Sequence, residues 1–125
     1  VVARQESLRT RFPAVEGIPR QLIIPAERAE CGWQVVDAAG WSAERLAAAI
    51  GAVAGHEFDL AAEIPLRAML FRIAEDEHVL AVAVHHIAAD GLSISPLLHD
   101  LSTAYAARCA GRAPGWAPLP VQYAD

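Results

Sequence analysis

Apolar residues recur along this chain with two different periods. From Ser42, the stretch SAERLAAAIGAVAG places Leu46, Ala49, Ile50 and Val53 at the three-and-four spacing of one helical face. The pattern predicts an amphipathic helix capped by Ser42 and ending near Gly55. A second stripe of Leu97, Leu98, Leu101, Ala104 and Tyr105 predicts a helix that opens on Ser95 and Pro96 as N-cap and first residue and reaches about Cys109. Leu66 to Ala74 and His78 to Val84 read as strands joined by the charged EDE turn, as a hairpin or neighbouring antiparallel pair. The second run is apolar on both faces, as expected of a central strand covered on both sides. Residues 1 to 9 read as the end of a helix, Phe12 to Ile24 as two extended segments around the turn signal EGIP, and Trp33 to Val36 as a short strand. FDLAAEIP is a loop closed by Pro65, and GRAPGWAPLP is a connector rich in Gly and Pro.

Composition narrows the function. A chain of 125 residues has the size of one domain and is long enough to bury roughly 65% of its unfolded surface. The 54% apolar and 20% charged fractions are those of a globular protein, and the apolar runs are too short to span a bilayer. A net charge of −5 argues against nucleic acid as a partner, because phosphate binding needs a basic stripe. Cys31 and Cys109 show no CxxC spacing and read as free thiols in a reduced cytoplasmic setting. All ten basic residues are arginine, an association with GC-rich bacterial genomes. The opening VVARQESLRTRF reads as a helix already under way and PLPVQYAD as the start of another element, so a piece of a longer chain, incomplete at both ends, is expected.

The chemistry concentrates where six apolar residues, Val79 to Val84, run into His85 and His86, with Asp90 and Gly91 four and five residues past the second ring. Successive side chains on a strand point to opposite faces, so the two rings cannot serve one site. A neutral imidazole accepts a proton near pH 7, and burial among Val and Ala keeps it neutral. General base catalysis is one reading, and a satisfied structural histidine is the plain one. His85, His86 and Asp90 are also metal-ligand types, but the rings diverge and no second ligand cluster exists. Gly91 allows φ > 0 or close approach of a substrate to the backbone. His56, His78 and His99 read as solvated, and Trp33, Trp41 and Trp116 as packing residues. No Ser or Cys lies in a nucleophile-elbow pattern.

Two motifs carry a family resemblance. HHIAADG, His85 to Gly91, resembles the HHxxxDG motif of the condensation domains of nonribosomal peptide synthetases. RQESLRTRF, Arg4 to Phe12, resembles that family's RHExLRTxF motif, departing by Gln5 where histidine is usual. The intervening FDL and PLRAMLFRIAEDEHVLAVAVHHI, and the tail AYAARCAGRAP to LPVQYAD, are similar to the family's continuation, so only Ala14 to Gly40 is weakly covered. HHxxxDG also occurs in epimerisation domains, wax ester synthases and related acyltransferases. The ADGLS continuation looks like the subtype joining two L-residues, and His85 speaks against a heterocyclisation domain.

The resemblance implies a chloramphenicol-acetyltransferase-like α/β fold, an α+β two-layer sandwich in each of two similar halves, with the active site in a tunnel between them. Residues 1–125 would cover most of the N-terminal half. The implied reaction is amide formation, in which the amine of an acceptor aminoacyl thioester attacks a donor thioester. No cofactor is bound directly: both substrates ride on phosphopantetheine of carrier proteins. Further partners implied are the C-terminal lobe and an adjacent adenylation domain, with no nucleic acid or membrane. His86 matches the residue that deprotonates or positions the amine, Asp90 an aspartate held structurally by an arginine ion pair, and Gly91 the glycine lining the site. His85 would support, and Arg9 and Arg67 would brace the site or serve as structural ion-pair residues. An epimerisation or other carrier-dependent acyltransferase domain, or a degenerate domain that only docks other proteins, are the alternatives. Alone, the 125 residues are expected to have no turnover.

Overall fold

The best-patterned stretch folds as its pattern dictates. In the computed structural model, which describes residues 1–125, Ser42 has extended backbone angles and its Oγ accepts the Arg45 N–H at 3.2 Å. This cap satisfies one of the orphan donors at the start of a helix. Helix α1, Ala43–Ala54, runs from there to Gly55. Its Leu46, Ala49, Ile50 and Val53 pack into a cluster with Ala38, Trp41, Phe71 and Ala81.

Strands β1 (Thr10–Arg11), β2 (Ala14–Val15), β3 (Ile18–Pro19) and β4 (Leu22–Ile23) form two small antiparallel pairs, β1 with β4 and β2 with β3. The EGIP signal yields the β2–β3 hairpin, where Glu16 and Gly17 both have positive φ, 53° and 77°. Two residues with φ > 0 make the turn whose twist matches the flanking strands. The main sheet holds β5 (Gln34–Asp37), β6 (Leu66–Arg72) and β7 (His78–Val84), with β6 in the centre, parallel to β5 and antiparallel to β7. Alternation along β6 and β7 sends Phe71, Met69, Val79 and Ala81 to the face that α1 covers. Leu66 and Val84 lie on the other face, in a cluster with Leu8, Ile24 and Ile64.

Helix α2, Ile94–Cys109, sends Leu97 into that second cluster. Asp100 on α2 is a buried charge, 5% exposed, and Arg4 Nε (3.2 Å) and Gln5 Nε2 (2.7 Å) both donate to its Oδ2. Arg4 also lies 5.2 Å from the centre of the Trp116 ring and donates to the Ala117 carbonyl. Gln122 Nε2 donates to the Arg4 carbonyl at 3.0 Å, and its Oε1 accepts the Glu6 N–H at 3.1 Å. One arginine thereby ties the N-terminal turn, α2 and the C-terminal tail together.

Several sequence expectations are corrected. Residues 1–9 are not the end of an α-helix: the Arg4 and Gln5 N–H groups close one turn on the Val1 carbonyl, and a 3₁₀ turn, Glu6–Arg9, runs directly into β1. Tertiary bonds of Arg9 and burial of Leu8 override local helix propensity. The short strand starts at Gln34 rather than Trp33, and Trp33 is about half exposed rather than packed. β7 is an edge strand, not a central one. Its apolar second face is covered only in part: Val84 packs with Leu97 of α2 in the second cluster, while Leu80 and Val82 stay 38% and 43% exposed. α2 starts at Ile94 with Pro96 as its third residue, which is tolerated because the first four N–H groups of a helix have no intrahelical acceptor. Leu98 and Tyr105 of the α2 stripe are exposed. No helix is long and apolar enough to cross a membrane.

Phe71 is 1% exposed at the centre of the α1–sheet cluster. Phe71→Ala is expected to cost about 3–5 kcal/mol through lost transfer energy and the cavity left behind. Denaturant unfolding of the wild type and the variant measures that difference.

Candidate functional site

The end of β7 separates the two histidines. The ladder with β6 closes on the His85 N–H, which donates to the Pro65 carbonyl at 2.9 Å. The His85 ring turns back to the loop before β6, meeting Phe58 edge-on with centroids 5.9 Å apart. Its Nδ1 accepts the Ile87 N–H at 3.1 Å, which requires that nitrogen to be unprotonated. His86 goes the other way, into a cavity of about 400 Å³ shared with Val82, Val84, Asp90, Gly91 and Leu97. One ring is half-buried on one side of the strand and the other is exposed over a cavity on the other side, so the two occupy unlike environments.

Asp90 and Ser93 lock the turn between strand and helix. Asp90 Oδ1 accepts the Leu92 N–H (3.0 Å), the Ser93 N–H (3.0 Å) and the Ser93 hydroxyl (2.8 Å), while Ser93 Oγ accepts the Asp90 N–H at 3.1 Å. These bonds, the one from the Ser93 side chain first, hold the Asp90 carboxyl below the usual carboxylate range. The arginine ion pair implied for Asp90 does not form within this chain: its partners are Ser93 and Leu92. Gly91 does not need its φ > 0 freedom, since its φ is not positive, but a Cβ added there would meet nothing within 4 Å. The backbone at Gly91 is open to close approach from the cavity side.

The two supporting arginines lie elsewhere. Arg9 Nη1 donates to the Ile24 carbonyl at 2.7 Å and Nη2 to Glu6 at 3.2 Å, which pins the 3₁₀ turn to β4; its buried Nε has no partner. Arg67 shares its strand face with Met69 and Phe71 and lies against Gly32, where an added Cβ would come within 3.2 Å of its Nη1. The His86 cavity is lined by the opposite face. His86, Asp90 and Gly91 thus come together, His85 stands behind them, and Arg9 and Arg67 do not join them.

Sequence reading missed Ser93, whose only signal was its place three residues after Asp90. It also placed His56 in solvent, whereas its Nε2 lies 3.1 Å from both oxygens of Glu63 and its ring is edge-on to Phe58 at 4.7 Å. Burial pushes the Glu63 carboxyl up, but the Asp59 N–H and the His56 ring outweigh it and hold the carboxyl low. Trp41 packs as expected, tilted against Phe71 and under the Arg45 guanidinium at 4.0 Å.

The sequence model of the condensation domain matches residues 1–125. The chain is 67% identical over its whole length to an isonitrile lipopeptide synthase of Mycobacterium tuberculosis and 52% identical to a dimodular nonribosomal peptide synthase of Bacillus subtilis. It spans only 5% of the length of either relative. Among solved structures, the X-domain in its complex with OxyB from teicoplanin biosynthesis superimposes with a TM-score of 0.86 at 42% identity, covering 98% of this chain and 26% of that one. The mixed sheet with α1 layered on it is accordingly the chloramphenicol-acetyltransferase-like α/β architecture.

Ser93→Ala removes the strongest contact to Asp90, so the Asp90 carboxyl is expected to titrate closer to the ordinary value of about 3.9. The folded carboxyl lies below its unfolded value, so its contribution to stability is complete above that value and is lost as pH falls through the depressed one. The variant should be less stable at neutral pH and lose less on acidification. Carboxyl chemical-shift titration and denaturation midpoints along the acid limb measure both effects.

Proposed function

Because the chain belongs to the condensation-domain family of nonribosomal peptide synthetases, we propose that it forms most of the N-terminal lobe of a domain that joins two carrier-bound substrates through an amide bond. The observation that carries this reading is the placement of His86 over an open cavity beside Gly91, at the end of a rigid strand. Rigid elements hold a catalytic ring more tightly than loops do. His86 accepts the proton from the attacking amine or orients that amine, Asp90 shapes the turn, and Gly91 leaves room for the reacting thioester. His85 supports from behind. The amine nitrogen bonds to the thioester carbonyl carbon, the thiolate of the donor's phosphopantetheine leaves, and the amine's proton passes to His86 and on to the thiolate.

The partners follow from that chemistry: donor and acceptor carrier proteins, each presenting its substrate on phosphopantetheine, with an adenylation domain nearby in the chain. The incompletely covered apolar face of β7, where Leu80 and Val82 are exposed beside Trp33 and Leu98, supports the reading that residues 1–125 are part of a larger domain. The remaining lobe supplies the facing wall of the active site, so residues 1–125 alone have no turnover. A second reading has one observation in its favour, the likeness to an X-domain whose structure is a complex with OxyB. On that reading the domain docks a tailoring protein without joining substrates.

The test uses the full-length protein with loaded donor and acceptor carriers, and the intact mass of the acceptor. A mass increase equal to the donor acyl group less one hydrogen is expected in the wild type, slowed by about 10²- to 10⁴-fold in His86→Ala. A folded wild type that gives no shift favours the docking reading, and an unaffected His86→Ala removes the proton-transfer role.

A further inference from the structure

The loop between α1 and β6 does more than connect them. Its residues His56, Phe58 and Glu63 stand behind the histidine motif as one column. Glu63 Oε1 accepts the Asp59 N–H at 2.8 Å, Asp59 Oδ1 accepts the Ala61 N–H at 3.1 Å, and the Glu63 N–H donates to the Asp59 carbonyl at 2.8 Å, so the loop is closed on itself. The Phe12 N–H donates to the Leu60 carbonyl at 2.7 Å, which fixes the loop to the end of β1. Glu63 holds His56 with both oxygens, and His56 meets Phe58 at an interplanar angle of 85°. Phe58 meets His85 at 90°. Edge-to-face contacts of this kind favour one ring orientation over others. At the end of the column, His85 Nδ1 accepts the Ile87 N–H, the first backbone donor past His86.

We propose that His56, Phe58 and Glu63 form a buttress that orients His85 and, through the His85–Ile87 hydrogen bond, sets the turn on which His86 stands. These three are positioning residues, since none lines the His86 cavity. Two independent observations support the assignment. The column is continuous, each member in contact with the next, from a half-buried carboxylate to the backbone of the motif. The turn also has a second, separate fastening at Asp90 and Ser93, so the segment from His85 to Ser93 is held at both ends and His86 lies within it. A rotated His85 ring releases the first fastening and leaves the second intact.

The inference rests on the proposed condensation reaction only where turnover is concerned, so its test has a structural arm and a catalytic arm. In the full-length protein, hydrogen exchange read by mass spectrometry compares the wild type with Phe58→Leu and the milder Glu63→Gln. Exchange about tenfold faster in peptides spanning 85–93, with β6 and β7 unchanged, is expected for Phe58→Leu, and a smaller rise for Glu63→Gln. Unchanged exchange over 85–93 overturns the buttress. A rise that spreads equally through β6 and β7 overturns it too, because the loop then merely holds the fold. In the condensation assay, Phe58→Leu is expected to lower kcat about tenfold with KM for the acceptor carrier unchanged, and Phe58→Tyr, which keeps the ring, to restore it. Faster exchange with unaltered kcat severs the link from the buttress to His86. If the wild type gives no condensation at all, the proposed reaction fails while the exchange arm still decides the buttress.

Discussion

The antiparallel register of β6 and β7 is the constraint on which the candidate site depends. Seven residues of each strand pair, Leu66 with Val84 through Arg72 with His78, and the ladder ends on the bond from the His85 N–H to the Pro65 carbonyl. A one-residue slip would exchange the two faces of β7 completely. Val79, Ala81 and Ala83 would leave the α1 cluster, and the rings of His85 and His86 would trade sides. The register is specified because one face is buried under α1: moving Val79, Ala81 and Ala83 out of that cluster exposes apolar area at roughly 25 cal/mol per Å². Core packing and site geometry are therefore set by the same pairing.

Beyond the last ladder bond, hydrogen bonds replace packing as the source of order. Ile87 is held by a ring nitrogen, and Asp90, Leu92 and Ser93 by one carboxylate and one hydroxyl. Such bonds contribute modestly each, about 0.5–1.5 kcal/mol net, but they are directional, and direction matters for a ring that must face a cavity. Asp90 is fully exposed to water and needs no buried counter-charge to stay ionised. Its role here is geometric, and the acceptor capacity of a carboxylate, with several lone-pair sites, suits three converging donors.

Much of this was legible in the sequence, for identifiable reasons. Helix α1, the β6 and β7 strands and the divergence of His85 from His86 follow from local periodicity, a capping serine and strand alternation, all of which act within a few residues. The grouping of His86 with Asp90 and Gly91 was readable because the three lie within six residues of chain. What escaped depends on groups far apart or on competition between equal local signals. Arg4 and Asp100 are 96 residues apart, and nothing in either segment announces the other. His56 and Glu63 are only seven apart, but their pairing depends on how an irregular loop folds back. The start of α2 was misplaced because Ser93 and Ser95 are both acceptable caps, and Ser93 spends its hydroxyl on Asp90 rather than on the helix. The edge position of β7 could not be read from its own residues, since apolar side chains on both faces report what a strand needs, not which layers this segment supplies.

The Arg4 knot sets an order of events for a chain made from its N-terminus onward. The sheet, α1 and the histidine turn use residues up to about Ser93, and their contacts can form as soon as that length is available. The knot cannot: Arg4 waits for Asp100 on α2, and its carbonyl for Gln122, 118 residues later. Domains generally consolidate as units during synthesis, N-terminal parts first, and closing a long loop costs only about 0.6 kcal/mol more for each doubling of its length. Until the tail arrives, the Arg4 guanidinium lacks its Trp116 and Ala117 contacts. Closure of the knot thus requires α2 and the tail through Gln122 to be present together with the N-terminal turn.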